Sequence, residues 1–317
     1  MRTVIGTRGS PLALWQANFV RDELLKLYPD IEIGTEIIKT TGDAIPGPPL
    51  SKIGPKGLFT KEIEQALIDR RVDLAVHSLK DMPTVLPDGL AIAAVTVRGD
   101  ARDVFISHPG KRVTRIDDLP PGATIATGSL RRTCQLLLWR PDLRIADLRG
   151  NLNTRLEKLD RSDWHGIILA KAGVVRLGME LRISETIPLE RMLPAVGQGA
   201  LCIEVRQGDG ERIDLVNPLN SDAARSATDG ERALLRVLEG GCRIPIGAYG
   251  RVEGNEFSLE AMVGSLDGRT VIRGNEHGPP ARSVELGERL GRTLLENGGR
   301  ELLESMRNPD LQQAPEV

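Results

Sequence analysis

The residues best placed to do chemistry in this 317-residue chain are a thiol, a lysine–aspartate pair and a crowd of arginines. Cys242 stands in Gly240-Gly241-Cys242-Arg243-Ile244-Pro245-Ile246-Gly247, after a helical pattern and before an apolar, strand-like run. The two glycines free the backbone for turns closed to other residues and leave the thiol on a bare loop, where it is a candidate for covalent chemistry. The same pattern also serves as an ordinary helix stop with a small buried thiol. Cys134 falls on an apolar helix face and Cys202 inside an apolar strand, so both are expected in the core. Lys80-Asp81 sets a carboxylate beside a cation, kept ionised and able to accept or hand on a proton. As a surface ion pair it would contribute little. Between Arg131 and Arg155 there are six arginines and two acids, Asp142 and Asp147. The planar guanidinium fork holds carboxylates or phosphates at two points. Arg131 and Arg132 fall in the first turn of a predicted helix, where cations oppose the helix dipole, and an anionic ligand accounts for them. A solvated face, or a general bias towards Arg (33 against 9 Lys), is the alternative. The four histidines are scattered without metal-ligand spacing, and no metal is expected. Trp15, Trp139 and Trp164 read as packing anchors.

Such side chains act only where elements put them. Thr3 to Thr7 predicts a strand, and after Arg8-Gly9 a helix opens with Ser10 as N-cap and Pro11 at its first position. Val20, Leu24 and Leu27 continue one face of that helix. Ile31, Ile33, Thr35 and Ile37 alternate as a strand. Residues 41–57 carry four glycines, four prolines and two lysines, which predicts a long mobile loop of the kind that forms lids. Phe59, Ile63 and Leu67 mark a helix. Val72 to Val76 is a strand running into His77-Ser78-Leu79-Lys80-Asp81, and Leu90 to Val97 is another.

From near Asp103 the order repeats. Thr124-Ile125-Ala126-Thr127-Gly128-Ser129 matches the first strand, its tight turn and its Ser-capped helix. A strand at Arg144 to Leu148, the loop Arg149-Gly150-Asn151, a helix from about Thr154 to Leu159 and a strand from Gly166 to Ala170 follow. This alternation predicts a largely parallel sheet in each half. Ligands of such sheets sit beyond the carboxyl ends of strands, against helix N-termini. Arg8, Ser10, Lys80, Asp81, Thr127, Ser129, Arg131, Arg132 and Arg149 lie at those ends, and are expected to converge on a cleft between the halves. Leu201 to Val205 is a strand that returns to the first half. Gly197 and Gly199 hint at a dinucleotide fingerprint, but Cys202 holds the third glycine position and the motif is rejected. A helix from about Asp222 to Leu238, strands near Ile246–Val252, Phe257–Val263 and Thr270–Arg273, and a final amphipathic helix from about Ala281 to Leu295 predict a small α+β domain. Arg307 to Val317 reads as a frayed tail. The expected domains are residues 1–98 with 197–217, residues 99–196, and residues 218–317.

A formal net charge of −2 and 3% aromatic residues argue against a nucleic-acid partner. No apolar run is long enough to span a membrane. The chain opens on a strand rather than a signal peptide, and three cysteines without paired spacing fit a reducing cytoplasm.

Six motifs together resemble the porphobilinogen deaminase (hydroxymethylbilane synthase) family over essentially the whole length. They are Gly6-Thr7-Arg8-Gly9-Ser10-Pro11-Leu12-Ala13, Gly57-Leu58-Phe59, Val76-His77-Ser78-Leu79-Lys80-Asp81, Ser129-Leu130-Arg131-Arg132, Arg149-Gly150-Asn151 and Gly240-Gly241-Cys242. The resemblance implies an α/β fold: two similar, two-lobed solute-binding-protein-like α/β domains and a small α+β C-terminal domain carrying the cofactor cysteine. It implies head-to-tail condensation of four porphobilinogen molecules into hydroxymethylbilane with release of ammonia. The implied cofactor is a dipyrromethane, two linked substrate units joined by a thioether to Cys242. The motif match implies that Lys80, Asp81, Thr127, Ser129, Arg131 and Arg132 hold the cofactor, and that Arg8, Ser10, Arg149, Arg155 and Arg176 bind the incoming ring or the growing chain. Asp81 is implied as the catalytic group, assisting ammonia loss and stabilising positive charge on pyrrole nitrogens. Residues 41–57 match the mobile lid. A cytoplasmic monomer whose partner is porphobilinogen, with no metal, nucleic acid or membrane, is expected. Two positions depart from the family: Arg243 where Gln is common, and Gly230 where Ala is common, which weakens that helix by about 1 kcal/mol.

Two other classes stay open on the residues alone. A two-lobed binding protein for an anionic small molecule explains the cleft and the arginines, but not Cys242 or the third domain. A Cys-nucleophile acyl transferase needs a base near the thiol, and no His is close in sequence. Release of ammonia from porphobilinogen separates all three.

Overall fold

The computed structural model describes residues 2–44, 60–238 and 244–307. Cys242 with its flanking glycines, Arg243, Gly57-Leu58-Phe59, most of the expected lid and the last ten residues lie outside the described residues.

The first sheet is assembled from β1 (Arg2–Thr7), β2 (Glu32–Ile37), β3 (Leu74–Ser78) and β4 (Leu90–Val95), with helices α1 (Pro11–Leu27), α2 (Thr41–Ala44) and α3 (Lys61–Ile68) between them. The second uses β5 (Asp103–Ser107), β6 (Thr124–Ala126), β7 (Arg144–Ala146), β8 (Gly166–Ala170) and β9 (Glu185–Thr186), with α4 (Leu130–Trp139), α5 (Leu152–Asp160) and α6 (Lys171–Arg176). β10 (Leu201–Arg206) then joins the first sheet, followed by α7 (Gly210–Val216).

The strand orders are β2-β1-β3-β10-β4 and β7-β6-β8-β5-β9, the same pattern twice, so the internal repeat is real. The expectation of largely parallel sheets needs correction. β1 runs parallel to β2 and β3, and β6 parallel to β7 and β8, as βαβ crossovers require. The fourth strand of each sheet, β10 or β5, enters without such a crossover and is antiparallel to both neighbours. β10 is buried from Leu201 to Val205 because it lies inside the sheet. β2 is an edge strand, so its alternation does not bury every isoleucine: Ile37 is 58% exposed. The start of the expected loop, Thr41–Ala44, is a helical turn instead.

α8 (Asp222–Leu238) leads to the antiparallel sheet β11 (Ile246–Glu253), β12 (Glu256–Gly264), β13 (Val271–Gly278), closed by α9 (Ser283–Leu294). The described chain then continues into a further helix, α10 (Arg300–Arg307), after a kink where Gly298 takes φ +104°. Leu234, Leu238, Phe257, Leu259, Leu286, Leu290 and Leu303 make the core of this α+β portion. α8 and α9 meet at glycines. A Cβ on Gly287 would lie 2.1 Å from the Gly230 carbonyl oxygen, and one on Gly230 would lie 2.6 Å from the Phe257 ring and 2.9 Å from the Ser283 carbonyl oxygen. Gly230 therefore permits close helix packing, which changes its reading from a weakness of the helix to a requirement of it.

Two compact units emerge. Met1–Ala101, Ala172–Met179 and Gly197–Arg225 form the first, and Arg102–Lys171, Glu180–Val196 and Ser226–Val317 form the second. The segment holding Arg176 belongs to the first unit by proximity.

Candidate active site

In the first unit, parallel β1 and β3 bring their carboxyl ends to one edge of the sheet. β1 ends at Thr7, Arg8 follows, and Ser10 caps α1 by accepting a hydrogen bond from the Ala13 amide at 3.4 Å. Pro11 sits at the helix start, where no amide is needed. β3 ends at Ser78 and turns through one 3₁₀ turn, Leu79–Asp81, whose buried Leu79 anchors exposed Lys80 and Asp81. Gln16 donates to Ser78 Oγ at 2.7 Å and ties α1 to β3. A cavity of about 60 Å³ opens here, lined among others by Arg8, Ser10, Gln16, His77, Ser78 and Asp81. Lys80 is not among its lining residues.

Gly197 holds this turn from below. It has φ +72°, and a Cβ there would meet the Lys80 amide nitrogen and the Leu79 carbonyl carbon at 3.1 Å. Only glycine fits such an approach, which gives Gly197 a use unrelated to dinucleotides. Arg176 is half-buried. It donates to the Gly199 carbonyl at 2.6 Å and lies 5.6 Å over the Trp15 ring, and burial pulls its pKa down to about 10. Trp15 in turn stacks on Phe19.

In the second unit, Arg131 and Arg132 are each 5% exposed. Both grip the buried carboxylate of Asp103, Arg131 at 2.7 Å and Arg132 at 2.8 Å. They also donate to the carbonyls of Leu193 and Ile168. An anion does offset the cations at this helix start, as the dipole requires, but the chain itself supplies it. Burial works to raise the Asp103 pKa, yet the two guanidiniums outweigh it and hold the carboxyl well below the usual range. Ser129 occupies the N-cap position of α4 without a side-chain cap bond, contrary to the expected Ser cap. Its amide donates instead to Thr127 Oγ1 at 3.2 Å. Asn151 caps α5, accepting from the Thr154 amide at 2.9 Å. Arg155 donates to the Gly150 carbonyl and Lys158 to the Arg149 carbonyl, while Arg149 lies 3.7 Å from Asp147. Arg149 and Arg155 thus brace one loop.

Cys134 and Cys202 are both fully buried, as expected, and burial pushes the Cys134 thiol up to about 11. Two features escaped the sequence reading. Asp103 is the partner of the paired arginines, signalled only by being the acid that opens an apolar strand. His77 forms a buried pair with Glu204, His77 Nε2 to Glu204 Oε2 at 3.1 Å. The signal was an acid in the middle of Leu201-Cys202-Ile203-Glu204-Val205.

Comparison with known proteins gives a consistent result. A family model described as "Porphobilinogen deaminase, dipyromethane cofactor binding domain" matches residues 3–214, and one described as "Porphobilinogen deaminase, C-terminal domain" matches residues 227–296. Proteins named porphobilinogen deaminase from Desulforudis audaxviator and Chlorobaculum tepidum are each 51% identical, covering 96% of this chain and 97% of those proteins. The one from Chlorobium chlorochromatii is 52% identical with the same coverage. Among solved structures, the L-cystine solute receptor of Neisseria gonorrhoeae aligns with a TM-score of 0.40 and 11% identity, over 69% of this chain and 84% of that one.

Proposed function

This chain belongs to the porphobilinogen deaminase family, and on that premise we propose which of its residues carry the reaction. It is a transferase of tetrapyrrole biosynthesis that joins four porphobilinogen molecules head to tail into hydroxymethylbilane, releasing ammonia, and its cofactor is a dipyrromethane. In the finer assignment it is a cytoplasmic, monomeric hydroxymethylbilane synthase with three domains, residues 1–98 with 197–217, 99–196 and 218–317. Cys242 carries the cofactor through a thioether.

The donor set of the second unit fits such a group chemically. A dipyrromethane bears acetate and propionate carboxylates. Arg131 and Arg132 bring two positive charges against the one carboxylate of Asp103, and Arg149 and Arg155 gather on one loop. Lys80, Thr127, Ser129, Arg131 and Arg132 are assigned to the cofactor. Arg149, Arg155 and Arg176 are assigned to the growing chain. When bound, the cofactor supplies the pyrrole carbon onto which the first substrate ring is joined.

The reading of the reacting centre is supported by one observation: Arg8, Ser10 and Asp81 line a single cavity. Arg8 suits a substrate carboxylate by two-point contact, with Ser10 beside it at the start of α1. Asp81 meets the positive charge that spreads onto the substrate's pyrrole nitrogen as its aminomethyl C–N bond breaks, where a fixed carboxylate acts most effectively. It also takes the proton released when the rings couple. Lys80 cannot replace Asp81, because a cation would repel the developing charge.

The test is an intact-protein mass together with ammonia release from porphobilinogen. The purified protein should exceed its sequence mass by one dipyrromethane, and Cys242→Ser should remove the excess while Cys134→Ser and Cys202→Ser keep it. An active preparation of unmodified mass would defeat the assignment of Cys242.

A further inference from the structure

Beneath the cavity that Asp81 borders lies a cluster of ionisable groups with no part in the roles assigned above. Glu204, on β10 inside the first sheet, is 0% exposed and holds His77 Nε2 through its Oε2 at 3.1 Å. His77, on β3, is 6% exposed and lines the cavity, and its other ring nitrogen makes no hydrogen bond among the described residues. α3 lays Glu64, also 6% exposed, against the pair. Glu204 Oε1 is buried there and has no hydrogen-bond partner among the described residues, while Thr60 lies within reach of the Glu64 carboxyl. The β4 ladder slips by one residue opposite Glu204, passing from Ala94 at Ile203 to Ile92 at Glu204. Such bulges often lie beside functional residues.

Packing alone does not call for this arrangement. Around it α3 and the sheet bury Ile63, Ala66, Leu67 and Ala75, and an apolar side chain at 204 would continue that core without leaving an oxygen unpaired. The charged groups around the cluster are Glu62 and Glu64 from α3, Glu204 from β10, Arg8 after β1 and Asp81 after β3. Burial pushes the Glu64 carboxyl above the usual range, and the charge of Glu204 adds to the push. A cavity of about 60 Å³ with polar walls has room for a few waters between His77 and Asp81.

We propose that Glu204 and His77, with Glu64, form a proton store that exchanges with Asp81 through water in this cavity. This rests on the role of Asp81 given above. In each addition the C–N bond of the protonated aminomethyl group breaks and its electron pair leaves with ammonia. A C–C bond forms to the α-carbon of the neighbouring pyrrole, which then loses a proton. Asp81 takes that proton and passes it to His77 Nδ1, while Nε2–H stays on the Glu204 carboxylate. Return of the proton to ammonia gives ammonium and restores both groups. His77 and Glu204 act through Asp81, as positioning residues.

The experiment measures kcat and KM for porphobilinogen by ammonia release, against pH, with holoenzyme of confirmed mass. His77→Asn and Glu204→Gln should lower kcat about tenfold or more with KM little changed, and should alter the pH profile of kcat. Cofactor mass should be unchanged. Normal kcat with the wild-type pH profile would overturn the proposal, as would a loss explained entirely by missing cofactor. If both variants fail to fold, nitrogen NMR of the His77 ring in wild-type and Asp81→Asn holoenzymes decides: the titration should move between them, and identical curves refute the exchange. A wild-type holoenzyme that releases no ammonia would instead remove the reading of Asp81 on which the store depends.

Discussion

Asp103 carries two guanidiniums on one fully buried carboxylate, so its loss should cost the second unit substantial stability. Asp103→Asn removes the only carboxylate paired with Arg131 and Arg132 among the described residues and leaves two buried cations side by side. Breaking a buried pair in this way destabilises on the order of 3–5 kcal/mol, and denaturant unfolding should show it. The pH dependence follows from the depressed folded-state pKa. The contribution is fully present above the ordinary aspartate value of 3.8 and is lost as pH falls through the lower folded value, so wild-type stability should decline below that point and the Asn variant should lack this component. Asp81 calls for a different measurement. Asp81→Asn preserves size but loses the charge that offsets the cationic ring. Single-turnover ammonia release should fall by about two orders of magnitude or more while cofactor stays attached, and Asp81→Glu should keep part of the rate. Near-normal release by the Asn variant would exclude Asp81 from the chemistry.

Helices are where propensity and packing give opposite answers. By propensity alone, Gly230→Ala in α8 should gain about 1 kcal/mol. The space is not there, however. The new methyl group would lie 2.6 Å from the Phe257 ring and 2.9 Å from the Ser283 carbonyl oxygen, so helix α9 must shift or the ring must leave its core position. Overpacking of this kind costs about 1–3 kcal/mol, and the net effect should be a lower Tm. A raised Tm would show that α8 and α9 separate easily. The turn that carries Lys80 and Asp81 illustrates the same principle at shorter range, since its backbone packs so closely on Gly197 that a side chain there would not fit.

For the molecule as a whole, a net charge of −2 gives no general attraction for a substrate bearing several carboxylates. In the proposed assignment, binding comes from local cations such as Arg8 and the Arg149–Arg155 loop. Attraction that is local and partly solvent-exposed is screened by salt. KM for porphobilinogen should therefore rise with ionic strength at fixed pH, with a smaller change in kcat. A KM indifferent to salt would argue that the carboxylates are held mainly by neutral hydrogen bonds.

The repeat of two α/β patterns, the Ser10 cap, the α+β end of the chain and the family were all legible in the sequence. Each rests on short-range periodicity, capping chemistry or motifs of a few adjacent residues. What depended on tertiary structure was everything between residues distant in the chain. β10 runs antiparallel beside β3, across more than a hundred residues, and this alone brings Glu204 to His77. Asp103 reaches Arg131 and Arg132 only because β5 and α4 belong to one folded unit, so a pair read as awaiting a ligand already had a carboxylate. Gly230 changes meaning for the same reason. Helix propensity is a property of one segment, whereas the space for a methyl group is set by whichever segment packs against it.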